Sequence, residues 1–177
     1  MLKINIDEKT LFNEENNEFI YVPAQELLLE HSLISISKWE SKWKKPFISK
    51  TQMTKEETLD YIRCMIVNTP KENYIYGIGN KEIELINRYI EDPMTATWFK
   101  NNSEKKPHEI ITSEIIYYSM IAYNIPLKCE QWHLNRLLTL IRVCSEKNNP
   151  KKMSKKDIYS RNRALNDARR KAAHSKG

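Results

Sequence analysis

The chain has 177 residues, with 29 lysines and arginines against 23 aspartates and glutamates, and a formal net charge of +6. Its length suits one domain with an appended segment, and 40% hydrophobic residues exclude a wholly disordered chain. Only three glycines are present, which disfavours glycine-rich phosphate loops and β folds built on tight hairpins.

Membrane insertion and secretion are not expected from this sequence. No segment has the roughly 18 consecutive apolar residues of a membrane span, and residues 1–7 contain no apolar core of a secretory signal. The three cysteines, Cys64, Cys129 and Cys144, are not spaced like zinc-finger ligands. We expect them to be buried free thiols in a reducing cytoplasm.

The N-terminal part predicts a small β element followed by a short helix. Residues 2–6 alternate between apolar and polar, and residues 19–22 are β-prone, so two strands joined by a polar loop are predicted, which could form a hairpin. Residues 27–36 are ambiguous, with a slight preference for a strand. Ser37 and Glu40 have the spacing of a capping box, which predicts a helix from there to about residue 45.

Four further segments predict the helices of the core. Thr54 and Glu57 form a clearer capping box in front of a helix at residues 55–67. The other core helices are predicted at residues 81–91, 109–123 and 128–145.

The last two of these helices are both rich in apolar residues and are joined by a short turn. We therefore expect them to pack antiparallel as the central pair of the core. In that arrangement the residues of the second helix that face the first are Leu137, Leu138 and Ile141. The residues that they would contact are Ile111, Ile115 and Tyr118.

The C-terminal segment carries the positive charge of the chain. Residues 147–177 hold 11 basic and two acidic residues, a net +9, whereas the remaining residues hold 18 basic and 21 acidic, a net −3. The sequence thus predicts a helical domain at residues 1–146, with the β element at its N-terminus, and a basic arm at residues 147–177. We expect the arm to be a helix from about residue 155 to 173 that projects from the domain.

This arm is the strongest candidate for a partner-binding site. Its cationic side chains can meet an acidic protein surface or phosphates, and its few apolar side chains can anchor the contact. Protein binding is the preferred interpretation; a nucleic-acid contact and a merely solvated helix are the alternatives. The candidate partner-binding residues are Lys155, Lys156, Ile158, Arg161, Arg163, Leu165, Arg169 and Arg170.

Two other patterns suggest cofactor or metal chemistry only weakly. Gly77 and Gly79 lack the third glycine of a dinucleotide-binding loop, because Glu82 occupies that position. Cys129 and His133 are one helical turn apart, but a zinc site needs two more ligands, which the surrounding sequence does not supply. We predict no catalytic residue, no metal and no cofactor.

A third pattern combines aromatic and basic residues. Trp39 and Trp43 would share one face of a helix, with Lys38, Lys42 and Lys45 beside them. Such a surface can stack and neutralise single-stranded nucleic acid. Tryptophans packed on the domain beside solvated lysines are the preferred interpretation.

Four stretches of the sequence resemble a group of small proteins encoded among the tail-morphogenesis genes of tailed bacteriophages. They are SISKWESKWKKPF at 35–47, DPMTATWF at 92–99, QWHLNRLLTLIRVC at 131–144 and RNRALNDARR at 161–170. The similarity covers most of the chain from about residue 30. It implies a non-enzymatic tail-assembly protein, either chaperone-like or a minor virion component, that works by binding other phage proteins.

We therefore expect a mainly α fold: a compact helical domain with a small N-terminal β element and a projecting basic C-terminal helix. The partners that the resemblance implies are other tail proteins, such as the tape-measure or tail-tube protein. Self-association is a further expectation, nucleic acid is the less favoured partner, and no membrane is involved. The expected location is the cytoplasm of the bacterial host during assembly, or the tail of the virion.

Overall fold

The computed structural model describes residues 1–14, 16–48, 53–99, 110–148 and 155–172, with the side chains of the last helix described at residues 159–170. Within these ranges, four short strands are followed by seven α-helices and one 3-10 helix, so the fold is mainly α, as predicted. The chain divides into two compact units, Met1–Arg142 and Val143–Gly177.

The N-terminal strands form an antiparallel ribbon that is interrupted in its middle. Leu2 opposes Leu29 and Lys9 opposes Val22, so both halves continue one register. The interruption includes Pro23, which has no N–H to donate to a partner strand. The strands are β1 (Leu2–Ile6), β2 (Lys9–Asn13), β3 (Glu18–Val22) and β4 (Gln25–Leu29), with β1 paired to β4 and β2 to β3.

The two predicted strands are present, but they do not form a hairpin with each other. Residues 2–6 and 19–22 lie on opposite arms of the ribbon but do not pair with each other: residues 2–6 pair with β4, which reaches into the ambiguous segment, and residues 19–22 pair with β2. The sequence predicted a polar loop where β2 lies, because the polar residues of this strand outnumber its apolar ones, Leu11 and Phe12. The ambiguous segment at residues 27–36 contains both structures, since β4 ends in it and the first helix begins in it.

Helix α1 (Leu33–Trp43) begins one turn earlier than predicted, because Ser32 caps it instead of Ser37. The hydroxyl of Ser32 accepts a hydrogen bond from the backbone N–H of Ser35 at 3.3 Å. The predicted capping box at Ser37 and Glu40 is wrong, since both residues lie inside the helix. The hydrophobic residues that α1 buries are Leu33, Ile36 and Trp39.

Helix α2 (Lys55–Met65) and its capping box confirm the prediction. The Thr54 hydroxyl accepts from the Glu57 N–H at 3.2 Å, and the Glu57 carboxylate accepts from the Thr54 N–H at 2.8 Å. The helix packs against α1. Beyond its end the chain pairs briefly with β4, where the Val67 N–H donates to the Leu28 carbonyl at 2.8 Å. Ribbon and helices thus share one core.

The two glycines near residue 78 have structural roles. Gly77 ends the short helix α3 (Tyr74–Gly77). A Cβ atom at Gly77 would lie 2.5 Å from Cγ2 of Ile6, so the close packing of α3 on the ribbon requires glycine. Gly79 precedes α4 (Asn80–Glu91) and donates its N–H to the Glu82 carboxylate at 2.9 Å.

The predicted central pair of helices is wrong. Helix α5 (Ser113–Ala122) packs against α1 through the buried Ile116 and Met120. The residues that were expected to face the other long helix, Ile111, Ile115 and Tyr118, are exposed. Because α5 is apolar around its whole circumference, the sequence pattern does not indicate which side is buried.

The second helix of that predicted pair is divided into two. A 3-10 helix (Leu127–Gln131) is followed by α6 (Leu134–Asn148), whose first N–H donates to the carbonyl of His31 at 2.7 Å. Leu137 of α6 is fully buried, whereas Leu138 and Ile141 are only half-buried.

The second unit contains α7 (Lys155–Ala172), which covers nearly all of the helix predicted for the basic arm. Its residues 159–170 are exposed. Among the helices that the structure describes, none has the length and apolar character needed to cross a membrane.

We predict that Leu137→Ala destabilises the protein by ~2–5 kcal/mol, because it leaves a cavity at a fully buried site. Leu138→Ala, the matched control on the next residue, should cost less than half as much, since that side chain is only half-buried. Equilibrium urea unfolding of both variants measures the two losses. An equal or larger loss for Leu138→Ala would show that the buried side of α6 is assigned wrongly.

Candidate binding surfaces

The carboxylate of Glu40 fixes the start of α5. Glu40 lies in α1 and is buried, and its Oε1 accepts the backbone N–H of Phe47 at 2.8 Å. Its Oε2 accepts the backbone N–H of Ser113, the first residue of α5, also at 2.8 Å. A negative charge at this position is favourable, because the N-terminus of a helix carries a partial positive charge. One side chain thus ties together α1, the segment after it and α5.

The other side of α5 is an exposed apolar surface. Tyr118 and Ile121 are 70% and 69% exposed, and Ile111 and Ile115 are 38% and 39% exposed. Ile115, Tyr118 and Ile121 follow one another at three-residue spacing on one side of α5, and Ile111 lies in the segment just before the helix. We call these four residues the α5 face. Exposed apolar side chains that cluster in this way are candidate contacts for another macromolecule, and the exposed carboxylate of Glu114 lies among them.

A second exposed apolar surface lies on the outer half of the ribbon. Phe12 and Phe19 are cross-strand partners whose ring centroids are 5.1 Å apart, and both side chains are exposed. Tyr21 lies beside them on the same side of the ribbon and is also exposed. A hydrogen bond with Glu8 raises the pKa of the Tyr21 hydroxyl. We call Phe12, Phe19 and Tyr21 the ribbon face.

The candidate residues of the basic arm do not share one side of α7. Arg163 and Arg170 line a shallow groove together with Tyr159. By helical geometry, three other candidates lie on the opposite side of α7: Arg161, Leu165 and Arg169. The side chains of the remaining three candidates, Lys155, Lys156 and Ile158, lie outside the described residues.

The tryptophans near the end of α1 pack into the domain. Trp39 is 2% exposed and donates its indole N–H to the Glu57 carbonyl at 2.9 Å. Trp43 donates to the carboxylate of Asp60 at 2.9 Å, and Lys42 is ion-paired with the same carboxylate. Burial raises the pKa of Asp60, but the hydrogen bonds from Lys42 and Trp43 outweigh it and hold the pKa below its usual range. This geometry supports the packing interpretation over a nucleic-acid platform.

Two buried histidines lie next to each other in the core. The rings of His31 and His133 are 5.0 Å apart, and Nδ1 of His31 is hydrogen-bonded to the Tyr61 hydroxyl at 2.5 Å. His133 donates from Nε2 to the carbonyl of Tyr89 at 2.9 Å. Burial, together with the neighbouring His133, lowers the pKa of His31 to about 3. No sequence pattern indicated a role for His31, because it lies in the ambiguous segment.

The Cys129–His133 pair does not gain further ligands in the structure. Cys129 is buried in the 3-10 helix, and His133 uses Nε2 in the hydrogen bond to Tyr89. In the part of the chain that is described, no group of three or more histidine, cysteine or acidic side chains could hold a metal ion. The absence of a metal stays a prediction.

A cleft of about 400 Å³ lies where β4, α1 and the end of α2 meet. Its lining includes Glu30, Lys38 and Cys64. Burial, and to a lesser degree the charge of Asp60, raises the pKa of the Cys64 thiol. A thiol with a raised pKa is a poor nucleophile at neutral pH, so the cleft gives no support for cysteine chemistry.

Comparison of the chain with protein-family models, with curated protein sequences and with solved structures gives no match in any of the three.

We predict that the stability of the protein falls as the pH is lowered from about 6.5 towards 3. The unfolded chain binds a proton at His31 in this window and the folded chain does not, so unfolding is favoured as the pH falls. Between pH 6.5 and 5 the loss should be about 1.5–2 kcal/mol. His31→Gln keeps a hydrogen-bond partner for Tyr61 and should remove most of the dependence between pH 6.5 and 5. At lower pH the protonation of Asp60, whose pKa is lowered in the fold, still costs stability. If urea unfolding gives the same pH slope for the variant, His31 is not the responsible group.

Proposed function

We propose that this chain is a non-enzymatic protein that binds other proteins of a tailed bacteriophage during tail assembly, as a chaperone-like factor or as a structural tail or connector subunit. The resemblance of its sequence suggests the phage setting. The observation that carries the binding function is the clustering of large apolar side chains on two exposed surfaces, the α5 face and the ribbon face. The basic arm provides a third contact of different chemistry.

The buried polar side chains of the described residues are hydrogen-bonded within the domain. Among the described residues, no buried side-chain nitrogen or oxygen lacks a hydrogen-bond partner. Glu40, His133 and Asp60 each hold backbone or side-chain groups in place. Groups that are committed in this way serve the stability of the fold.

The arm has two faces that suit different partners. The face with Arg161, Leu165 and Arg169 combines charge with an apolar anchor, which suits an acidic protein surface. The face with Tyr159, Arg163 and Arg170 combines a stacking ring with two cations, beside the single carboxylate of Asp167, and is the face of the arm that suits nucleic acid as the alternative partner.

Mass spectrometry of purified phage particles distinguishes the two forms of the proposed function. A chaperone-like factor should be absent from particles, and a structural subunit should be present at a fixed copy number. Affinity purification of the tagged chain from infected cells should recover tail proteins in either case. Recovery of no phage protein would contradict the proposal.

We predict that the double variant R161E/R169E loses most of its capture of tail proteins, because it reverses the charge on the face that contains Leu165. The matched control is R163E/R170E, which makes the same change of charge on the opposite side of α7 and should keep most of the capture. Co-purification from infected cells measures both variants. Deletion of residues 150–177 should reduce capture at least as far as R161E/R169E does, with the weaker contact of the two apolar faces remaining, and should leave the melting temperature of the domain nearly unchanged.

The same two variants test the alternative. If the arm binds duplex DNA with a steep dependence on salt, and R163E/R170E removes that binding while tail proteins are not captured, the nucleic-acid function is correct and the protein-binding function is wrong.

A further inference from the structure

The outer half of the ribbon, residues 7–22, combines the exposed aromatic rings of the ribbon face with an excess of negative charge. It holds five acidic residues and one lysine, a net −4. The lysine, Lys9, donates to the carbonyl of Gly77 at 3.3 Å. Because side chains alternate along a strand, Lys9 lies on the side of the ribbon away from the ribbon face. The acidic residues that are exposed here are Asp7, Glu8, Glu14 and Glu18.

Two of these carboxylates lie at the two ends of the ribbon face. Glu8 lies just before β2 and is hydrogen-bonded to the hydroxyl of Tyr21. Glu14 lies just after β2, two residues beyond Phe12. At about 3.3 Å per residue, the six residues from Glu8 to Glu14 span about 20 Å. The surface thus presents a carboxylate, then aromatic rings, then a second carboxylate, and it fits a segment with an apolar group between two cations.

The basic arm contains such a segment. Arg161, Leu165 and Arg169 follow one another at intervals of about one helical turn, so Leu165 lies between two guanidinium groups. We propose that the arm of one copy of the chain binds the ribbon face of a second copy, with Leu165 on the aromatic rings and the two arginines at Glu8 and Glu14. Guanidinium groups pair with carboxylates in a bidentate manner and also stack on aromatic rings. This self-association goes beyond the proposed function.

Charge complementarity is the reason that a second copy is the occupant. The arm, residues 147–177, carries a net +9 and the outer half of the ribbon a net −4, so the chain itself supplies the chemistry that the ribbon face fits. The long arginine side chains bridge the difference between about 12 Å along the helix, from Arg161 to Arg169, and about 20 Å along the strand.

Charge also sets the strength of the contact. At roughly 200 Å² for a large side chain that is fully exposed, the exposed fractions of Phe12, Phe19 and Tyr21, 50%, 77% and 51%, correspond to about 350 Å² of aromatic surface. Stable complexes bury about 800 Å² per partner, so apolar burial alone is not enough. We therefore expect a weak association that depends on salt, because the screening length falls from about 10 Å at 0.1 M to about 3 Å at 1 M.

Sedimentation equilibrium of the purified full chain tests the self-association. At about 0.1 M salt the average mass should rise above that of the monomer as the protein concentration increases, and at about 1 M salt the association should be at least tenfold weaker. R161E/R169E should abolish it. The matched control R163E/R170E changes the charge equally on the opposite side of α7 and should keep most of it. No phage protein is present, so failure here is distinct from failure to capture tail proteins.

An exchange of charges between the two surfaces tests their pairing. E8K/E14K should lose the association on its own, because a basic ribbon then meets a basic arm. The variant R161E/R169E should also lose it, because an acidic arm then meets an acidic ribbon. An equal mixture of the two variants should associate again, since each arm meets a ribbon of opposite charge.

The same change of charge on another element is the control for the ribbon. E84K/E91K alters exposed residues of α4 and should associate like the intact chain. Three results would each overturn the inference: an intact chain that stays monomeric at all concentrations, an association that salt does not weaken, or a mixture of the charge-exchanged variants that does not recover. A monomeric intact chain would leave the ribbon face for another protein.

Discussion

Two backbone amides that are far apart in the sequence depend on one buried carboxylate, that of Glu40. The amide of Phe47 follows α1, and the amide of Ser113 begins α5; each is 2.8 Å from a different oxygen of this side chain. The first N–H groups of a helix have no partner within the helix, so a buried helix start is stable only where another group accepts them. The position of α5 on α1, and with it the exposure of the α5 face, follows from this contact.

The consequence of fixing α5 in this way is a surface that folding does not cover. Ile116 and Met120 are buried against α1, while the α5 face remains in contact with water. Burial of apolar surface is favourable at roughly 25 cal/mol per Å², so this face retains a driving force for association. The ribbon face adds a second such surface, made of aromatic side chains on the outer half of the hairpin.

Sequence patterns correctly predicted the elements that are stabilised by contacts between neighbouring residues. The capping box at Thr54 and Glu57 is an example, because its two hydrogen bonds involve only neighbouring residues. Prediction failed where alternatives competed, as at the start of α1, where Ser32 and Ser37 are both capable caps. It also failed for α5, since a helix that is apolar on every side has no periodicity to show which side faces the core.

Of the candidate surfaces, the sequence predicted the basic arm but not the α5 face. The concentration of basic residues predicted the arm as a candidate binding site, and the helix expected there is present as α7. Helical geometry then separates Arg161 and Arg169 from Arg163 and Arg170, which a count of charges does not do. The α5 face could not be found from the sequence, because three of its four residues, Ile111, Ile115 and Tyr118, were expected to fill the core. In the structure the burial of Ile116 and Met120 shows which side of α5 faces inward.

Hydrogen exchange of the Ser113 amide tests the central role of Glu40 most directly. The first amide of a helix normally exchanges fast, so slow exchange at Ser113 requires an acceptor outside the helix. We expect the Ser113 and Phe47 amides to be protected in the intact chain and to lose protection together in Glu40→Ala, while the buried amides of α2 stay protected. Fast exchange at Ser113 in the intact chain, or unchanged protection in Glu40→Ala, would contradict the account.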